Sequence, residues 1–161
     1  MDDLRVRPMT ADEFEFLRSR LVREYAAEHV RAGNWTEEEA EARSRAQTDE
    51  LLPQGVETPG VLWLAAETLD GERIGHVWVG PRLPAGSAGA WIYAIEIEPD
   101  QRGKGYGRAL LLAAEQEAAR NGFRTIGLNV FGSNVVARHL YESAGYEDAS
   151  LQMRKQLSPP E

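Results

Sequence analysis

Seven consecutive residues, Arg102-Gly103-Lys104-Gly105-Tyr106-Gly107-Arg108, place three glycines among three cations in a chain that is otherwise acidic. They follow an apolar strand-like run and open an Ala/Leu-rich helical one. Glycines let the backbone turn sharply and bare successive N–H groups with no Cβ in the way. At a helix N-terminus those amides and the helix dipole favour an anion. The chemistry this suggests is a cradle for phosphate or pyrophosphate. The string is not a P-loop, which needs G-x-x-x-x-G-K-[ST]. It is not a dinucleotide fingerprint either, because the sixth position from Gly103 is Arg108 and from Gly105 is Leu110. A glycine loop that merely turns the chain is the plainer alternative.

A second group, Asn134, Arg138 and Tyr141, falls at i, i+4 and i+7, on one face of a helix. Seven residues rise about 10 Å. A phenol has a reference pKa near ~10 and can protonate a departing thiolate, whose own reference value is near ~8.5. On periodicity alone Tyr141 reads more readily as a core aromatic with its hydroxyl at the surface. Glu96 shares a strand face with Ile92 and Ala94, so its carboxylate is a base, a paired structural group or an exposed strand end. His29, His76 and His139 lack metal-ligand spacing, and all three read as structural. The chain has no cysteine, which excludes disulfides, thiolate nucleophiles and a covalent acyl-thiol intermediate.

The elements that would hold these groups are legible. Thr10-Ala11-Asp12-Glu13 is a capping box opening a helix with Phe14, Leu17, Leu21 and Tyr25 on one face. Thr36 to Glu39 repeats the signature before a polar surface helix that stops at Pro53. Val61 to Thr68 and Arg73 to Val79 form a hairpin about Asp70-Gly71. Ala85-Gly86-Ser87-Ala88-Gly89 resembles a nucleophile elbow but lacks its first glycine, so it reads as loop. Ala90 to Ile97 is a strand, Arg108 to Asn121 a helix, Thr125 to Val130 a strand, and Asn134 caps a helix ending at Gly145. Tyr146 to Leu157 reads as one or two final strands. This order predicts a mixed α/β or α+β fold, with helices on both faces of a largely antiparallel sheet of about six to seven strands. The crossover from Ala90 to Val130 makes its two strands parallel. One domain over residues 1–157 and a short proline-rich tail over 158–161 are expected.

The R-x-x-G-x-G pattern after a strand, followed by Asn134, Ala137, Tyr141 and Gly145-Tyr146, resembles the GNAT-family N-acetyltransferases. The resemblance covers about Ile92 to Tyr146 and implies a parallel strand pair splayed apart to admit a ligand. It implies acetyl-coenzyme A as donor, with backbone groups near Ile95 and Ile97 pairing its arm like an added strand. Arg102, Gly103, Lys104, Gly105, Tyr106, Gly107 and Arg108 would hold the pyrophosphate. Asn134 would touch the arm near the thioester, and Tyr141 would be the general acid. An N–H near Ile97 would meet the oxyanion. The chain departs from the family's usual base: Asn129 and Trp91 stand where relatives carry glutamates, which leaves Glu96, then Glu98. The reaction implied is acetyl transfer to a primary amine of a small molecule or peptide by direct attack, with no metal.

Net charge is −8 over 161 residues, and residues 1–60 hold 8 basic and 14 acidic side chains. That balance argues against nucleic acid and leans toward a cationic acceptor or a solubilising surface. No apolar run reaches the roughly 18 residues of a membrane span, and no leader pattern is present, so cytoplasm is the expected compartment. A homodimer is compatible with this reading. A non-catalytic acyl-coenzyme A sensor is the alternative function; it needs the cradle but no base.

Overall fold

The computed structural model describes residues 4–82 and 89–161, so Ala85 to Ala88 of the elbow-like stretch lie outside the described residues. The chain divides into two compact units, Met1–Asn129 and Val130–Glu161.

The first unit is a five-stranded sheet with helices on both faces. Its strands are β1 (Leu4–Pro8), β2 (Leu62–Thr68), β3 (Arg73–Pro81), β4 (Ala90–Ile97) and β5 (Ile126–Leu128), and their order in the sheet follows the chain. All neighbours are antiparallel except β4 and β5, which are parallel as the crossover rule requires. Helices α1 (Ala11–Arg31), α2 (Glu37–Leu51) and α3 (Tyr106–Arg120) complete the unit.

Helix α1 starts where the sequence says it should. The Thr10 hydroxyl accepts from the Glu13 amide, and the Glu13 carboxylate accepts from the Thr10 amide. Arg7 ties that cap to the sheet by bonding both Glu13 and Glu67, so the Arg7 guanidinium holds the Glu13 carboxyl down at about 2. Phe14 and Leu17 then pack on Trp63, Ala65 and Trp78, with Met9 and Leu52 closing the cluster. Trp63, Trp78 and Tyr93 stack across β2, β3 and β4 with centroids 4.5 and 4.7 Å apart, and Phe14 meets Trp63 edge-on. The alternate strand residues Leu64, Ala66, Val77, Val79 and Ile92 are buried outside this cluster. They form the opposite face, where α3 buries Leu110, Leu111, Ala114 and Ala118. Helix α2 is polar as expected, yet it buries Ala40 and Ser44. The fully buried Ser44 hydroxyl donates to the Val22 carbonyl at 2.7 Å, so a small residue lets the two helices approach closely.

The second unit contains α4 (Val135–Ser143) and a tail without helix or strand. The expected strands between Tyr146 and Leu157 do not form, and the sheet has five strands rather than six or seven. Leu151, Met153 and Leu157 are at least 73% exposed. Alternation of apolar residues fixes a strand's faces but supplies no ladder partner, and a lone strand is not stable.

Candidate functional site

Strand β4 carries a bulge. Trp78 pairs with Ala94 and Val79 with Ile92, so Tyr93 is the extra residue. Bulges bend a strand and re-aim its groups. Directly beyond it β5 stops: Leu128 pairs with Ile92, and no later residue of β4 has a partner on that side among the described residues. The edge from Tyr93 to Ile97 is therefore open.

The direction of the amides on that edge follows from one bond. The Glu98 N–H donates to the Ile74 carbonyl at 2.7 Å, toward β3. Successive amides alternate along a strand, so the Ile95 and Ile97 N–H groups face the other way, onto the open edge. On the β3 side the packing is close. A Cβ on Gly75 would collide with the Glu96 carbonyl, which explains a glycine inside this strand.

The glycine turn follows a short 3-10 segment, Pro99–Gln101. Gly103 and Gly105 have φ of 76° and 84°, the left-handed region that only glycine occupies cheaply. Gly105 is the N-cap of α3, so the turn delivers its backbone straight into the first turn of that helix. The amides of residues 103 to 107 have no protein acceptor among the described residues. Helix α3 starts two residues earlier than its Arg108 expectation, which places Tyr106 and Gly107 within its first turn.

The cations around the turn are partly committed. Arg102 Nε donates to the Ile97 carbonyl at 3.0 Å, and its Nη2 lies 3.9 Å from a Glu96 oxygen. Lys104 donates to Gln101, whose buried amide donates in turn to Glu72, and this chain braces the turn from behind. Arg108 is exposed on the first turn of α3.

Glu96 is half-buried at the end of β4 and accepts from Arg20 Nη2 of α1 at 3.1 Å. Its carboxylate is therefore ion-paired in the structure. Glu98 is paired as well, 3.3 Å from Arg73 Nε. Directly across the ladder from Glu96 stands His76, fully buried with neither ring nitrogen partnered. Burial, with Arg20 and Arg73 adding to it, pushes the His76 imidazole down to about 4 and keeps it neutral. Sequence reasoning passed over Arg20 and Tyr93. Arg20 sits beside Leu17 and Leu21, a position that borders the apolar face of α1, and that is the one signal available. A bulge leaves no trace in alternation this short.

In the second unit, the Asn134 side chain accepts from the Ala137 amide and caps α4. Tyr141 is half-buried, and burial pushes its phenol above the usual value. Gly145, with φ of 96°, ends the helix, so that Tyr146 donates its amide back to the Tyr141 carbonyl and sets its ring 5.8 Å from the Tyr141 ring. The structure thus gathers Glu96, Ile95, Ile97 and the 102–108 turn in the first unit. It places Asn134 and Tyr141 on one short helix in the second. No helix of the described residues is long and apolar enough to cross a membrane.

Comparison with known proteins agrees with this geometry. The chain is 33% identical over 150 residues to the uncharacterized N-acetyltransferase YycN of Bacillus subtilis strain 168, covering 93% of this chain and 96% of that one. It is 31% identical over 149 residues to the uncharacterized N-acetyltransferase YdgE of the same organism, covering 92% and 95%. The crystal structure of YycN superposes with a TM-score of 0.85 at 32% identity over 97% of this chain and 99% of that one. The model of the acetyltransferase (GNAT) family matches residues 19–146. Five amides at a helix start, a bulged strand with an open edge and these matches lead to one conclusion: the chain belongs to the GNAT family of acetyltransferases.

Proposed function

We propose that this enzyme transfers an acetyl group from acetyl-coenzyme A to a primary amine by direct attack. The observation that carries the reading is the set of amides from residue 103 to 107 without a protein acceptor, at the start of α3 and next to the open edge of β4. Unpaired amides at a helix N-terminus suit a diphosphate. An open strand edge suits an extended amide-bearing chain, which adds to a sheet as a strand does. Both features fit the two parts of coenzyme A, and the bound donor supplies an activated thioester.

This chain's residues then divide the work. Gly103 to Gly107 bind the pyrophosphate through backbone, and Arg102, Lys104 and Arg108 add positive charge. The Ile95 and Ile97 amides hold the arm, and the Ile97 amide faces the developing oxyanion. Asn134 steadies the arm through its Nδ2, since its oxygen is committed to Ala137. Glu96 takes a proton from the incoming ammonium, directly or through water. Tyr141 gives a proton to the departing sulfur. Without any cysteine the chain has no thiol to carry the acyl group itself.

Two measurements test this. Coenzyme A at 100 times its Kd should add about 2.7 kcal/mol of stability, seen as a raised Tm. Acetyl-coenzyme A mixed with a broad amine panel should release free thiol. No thermal shift would remove the cradle from the argument. A shift without turnover on any amine would remove the transfer step.

A further inference from the structure

The carboxylate proposed as the base is not alone. Glu96 is bonded by Arg20 at 3.1 Å and lies 3.9 Å from Arg102. Arg20 retains a spare donor: its Nε is buried and makes no hydrogen bond, with the nearest anion, a Glu24 oxygen, 3.6 Å away. His76, opposite Glu96 on the same face, is also buried without a partner. The spot holds an unmade guanidinium donor beside a neutral imidazole whose donor and acceptor nitrogens are both unused. A buried donor left unmade is costly, so a ligand group that completes it is favoured.

The local charge argues in the same direction. The acidic residues of α1 and α2 made a cationic acceptor attractive from sequence, but most of those carboxylates lie on exposed positions. The groups that face Glu96 are Arg20 from α1 and Arg102 from the turn, and Arg20 and Arg73 both oppose a charge on His76. A polyamine would bring two or more positive charges to a single, already neutralised carboxylate. A zwitterion would not. Its ammonium and carboxylate replace one ion pair with two and leave the net charge of the site unchanged. The side edge of a guanidinium, Nε with Nη2, is the geometry that takes a carboxylate in a bidentate grip.

We propose that the acceptor is a free α-amino acid, its amine received by Glu96 and its carboxylate by Arg20. This rests on the acetyl-transfer reading above and names the substrate class for that same site. The amine nitrogen forms the new N–C bond as the thioester C–S bond breaks. Of the two protons the ammonium loses, one passes through Glu96 to water and the other ends on the coenzyme A thiol. The N-acetyl product keeps its carboxylate but no longer offers a cation to Glu96, so the Arg20–Glu96 pair re-forms and favours its release.

The test is a matched panel assayed by thiol release with the full chain: free amino acids, their carboxamides and the corresponding decarboxylated amines. The expected result is a preference in kcat/KM of about tenfold or more for the free acids, because the analogues draw Glu96 away from Arg20 and offer its guanidinium no carboxylate in return. In Arg20→Gln the ratio between acid and amide should collapse toward one, chiefly through KM. Arg20→Lys should recover only part of it, since lysine lacks the planar fork. A thermal shift with coenzyme A verifies that each variant is folded, and the wild-type ratio decides the matter if a variant is not. Amides or decarboxylated amines turned over as well as the acids would overturn this proposal and leave the transferase reading standing. Binding of coenzyme A without turnover of any panel member would overturn both.

Discussion

Asn134 commits one lone pair of its side-chain oxygen to the Ala137 amide and so sets where α4 begins, while its Nδ2 remains as the donor that the proposed function assigns to the ligand. That double use explains why an asparagine, with a donor and an acceptor on one group, suits the position. Tyr141 follows two turns later, half-buried, its phenol protonated at neutral pH like any tyrosine and pushed further up by burial. Tyr141→Phe should lower kcat about 100-fold while coenzyme A affinity changes little, because in the proposed mechanism the hydroxyl acts only as sulfur departs. Steady-state kinetics with a coenzyme A binding titration checks it, and unchanged turnover would take Tyr141 out of the mechanism. Since burial raises this phenol, any alkaline limb it causes in kcat should lie above the ordinary tyrosine value of about 10. At this level the sequence was generous with polar groups in recognisable strings and silent about those defined by contact. The glycine turn announces itself, and Glu96 stands out as a carboxylate on an apolar strand face. Arg20 becomes meaningful only once α1 is laid over β4, a relation between residues 76 positions apart.

Helix α1 shows how far local rules reach. Thr10 and Glu13 predict its first turn, and the same capping pair is present in atomic detail. The β2–β3 hairpin and the parallel partnership of β4 with β5 also follow from turn chemistry and crossover length. What local rules miss is where a ladder ends. Thr125 to Val130 has the composition of a six-residue strand, yet only Ile126 to Leu128 pair, and that early stop creates the open edge of β4. The residues between Tyr146 and Leu157 fail for the same reason, since pairing is a property of two segments. The β3–β4 contact offers a direct test. Gly75→Ala forces a Cβ into the Glu96 carbonyl, backbone against backbone, and should cost about 1–3 kcal/mol in denaturant melts. It should also disturb Glu96, so kcat/KM should fall in molecules that remain folded.

Stability as a function of pH has two separable windows. His76 has an ordinary value of 6.5 when unfolded and about 4 when folded. Between these the unfolded chain binds the extra proton, so stability is complete above about 6.5 and declines as pH falls toward 4. The linkage amounts to about 3 kcal/mol across the window. His76→Leu should flatten that slope, and because it removes a buried unpaired polar group it should leave the protein no less stable at neutral pH. Urea melts at several pH values check both statements; a slope that persists in the variant would assign it elsewhere. Glu13, held at about 2 by Arg7, contributes stability that is complete above about 4.5 and is lost as pH falls from there toward 2. The stacked Trp63 and Trp78 rings, 4.5 Å apart and 19° from parallel, have a further consequence. Indoles that near share their excited states, so the protein should show an exciton-split tryptophan band in the far-ultraviolet dichroism that vanishes when β2 and β3 part. Tyr93 closes the stack from the bulge itself, so a ligand that resettles this strand would tint the band, giving the molecule a built-in optical gauge with no label attached.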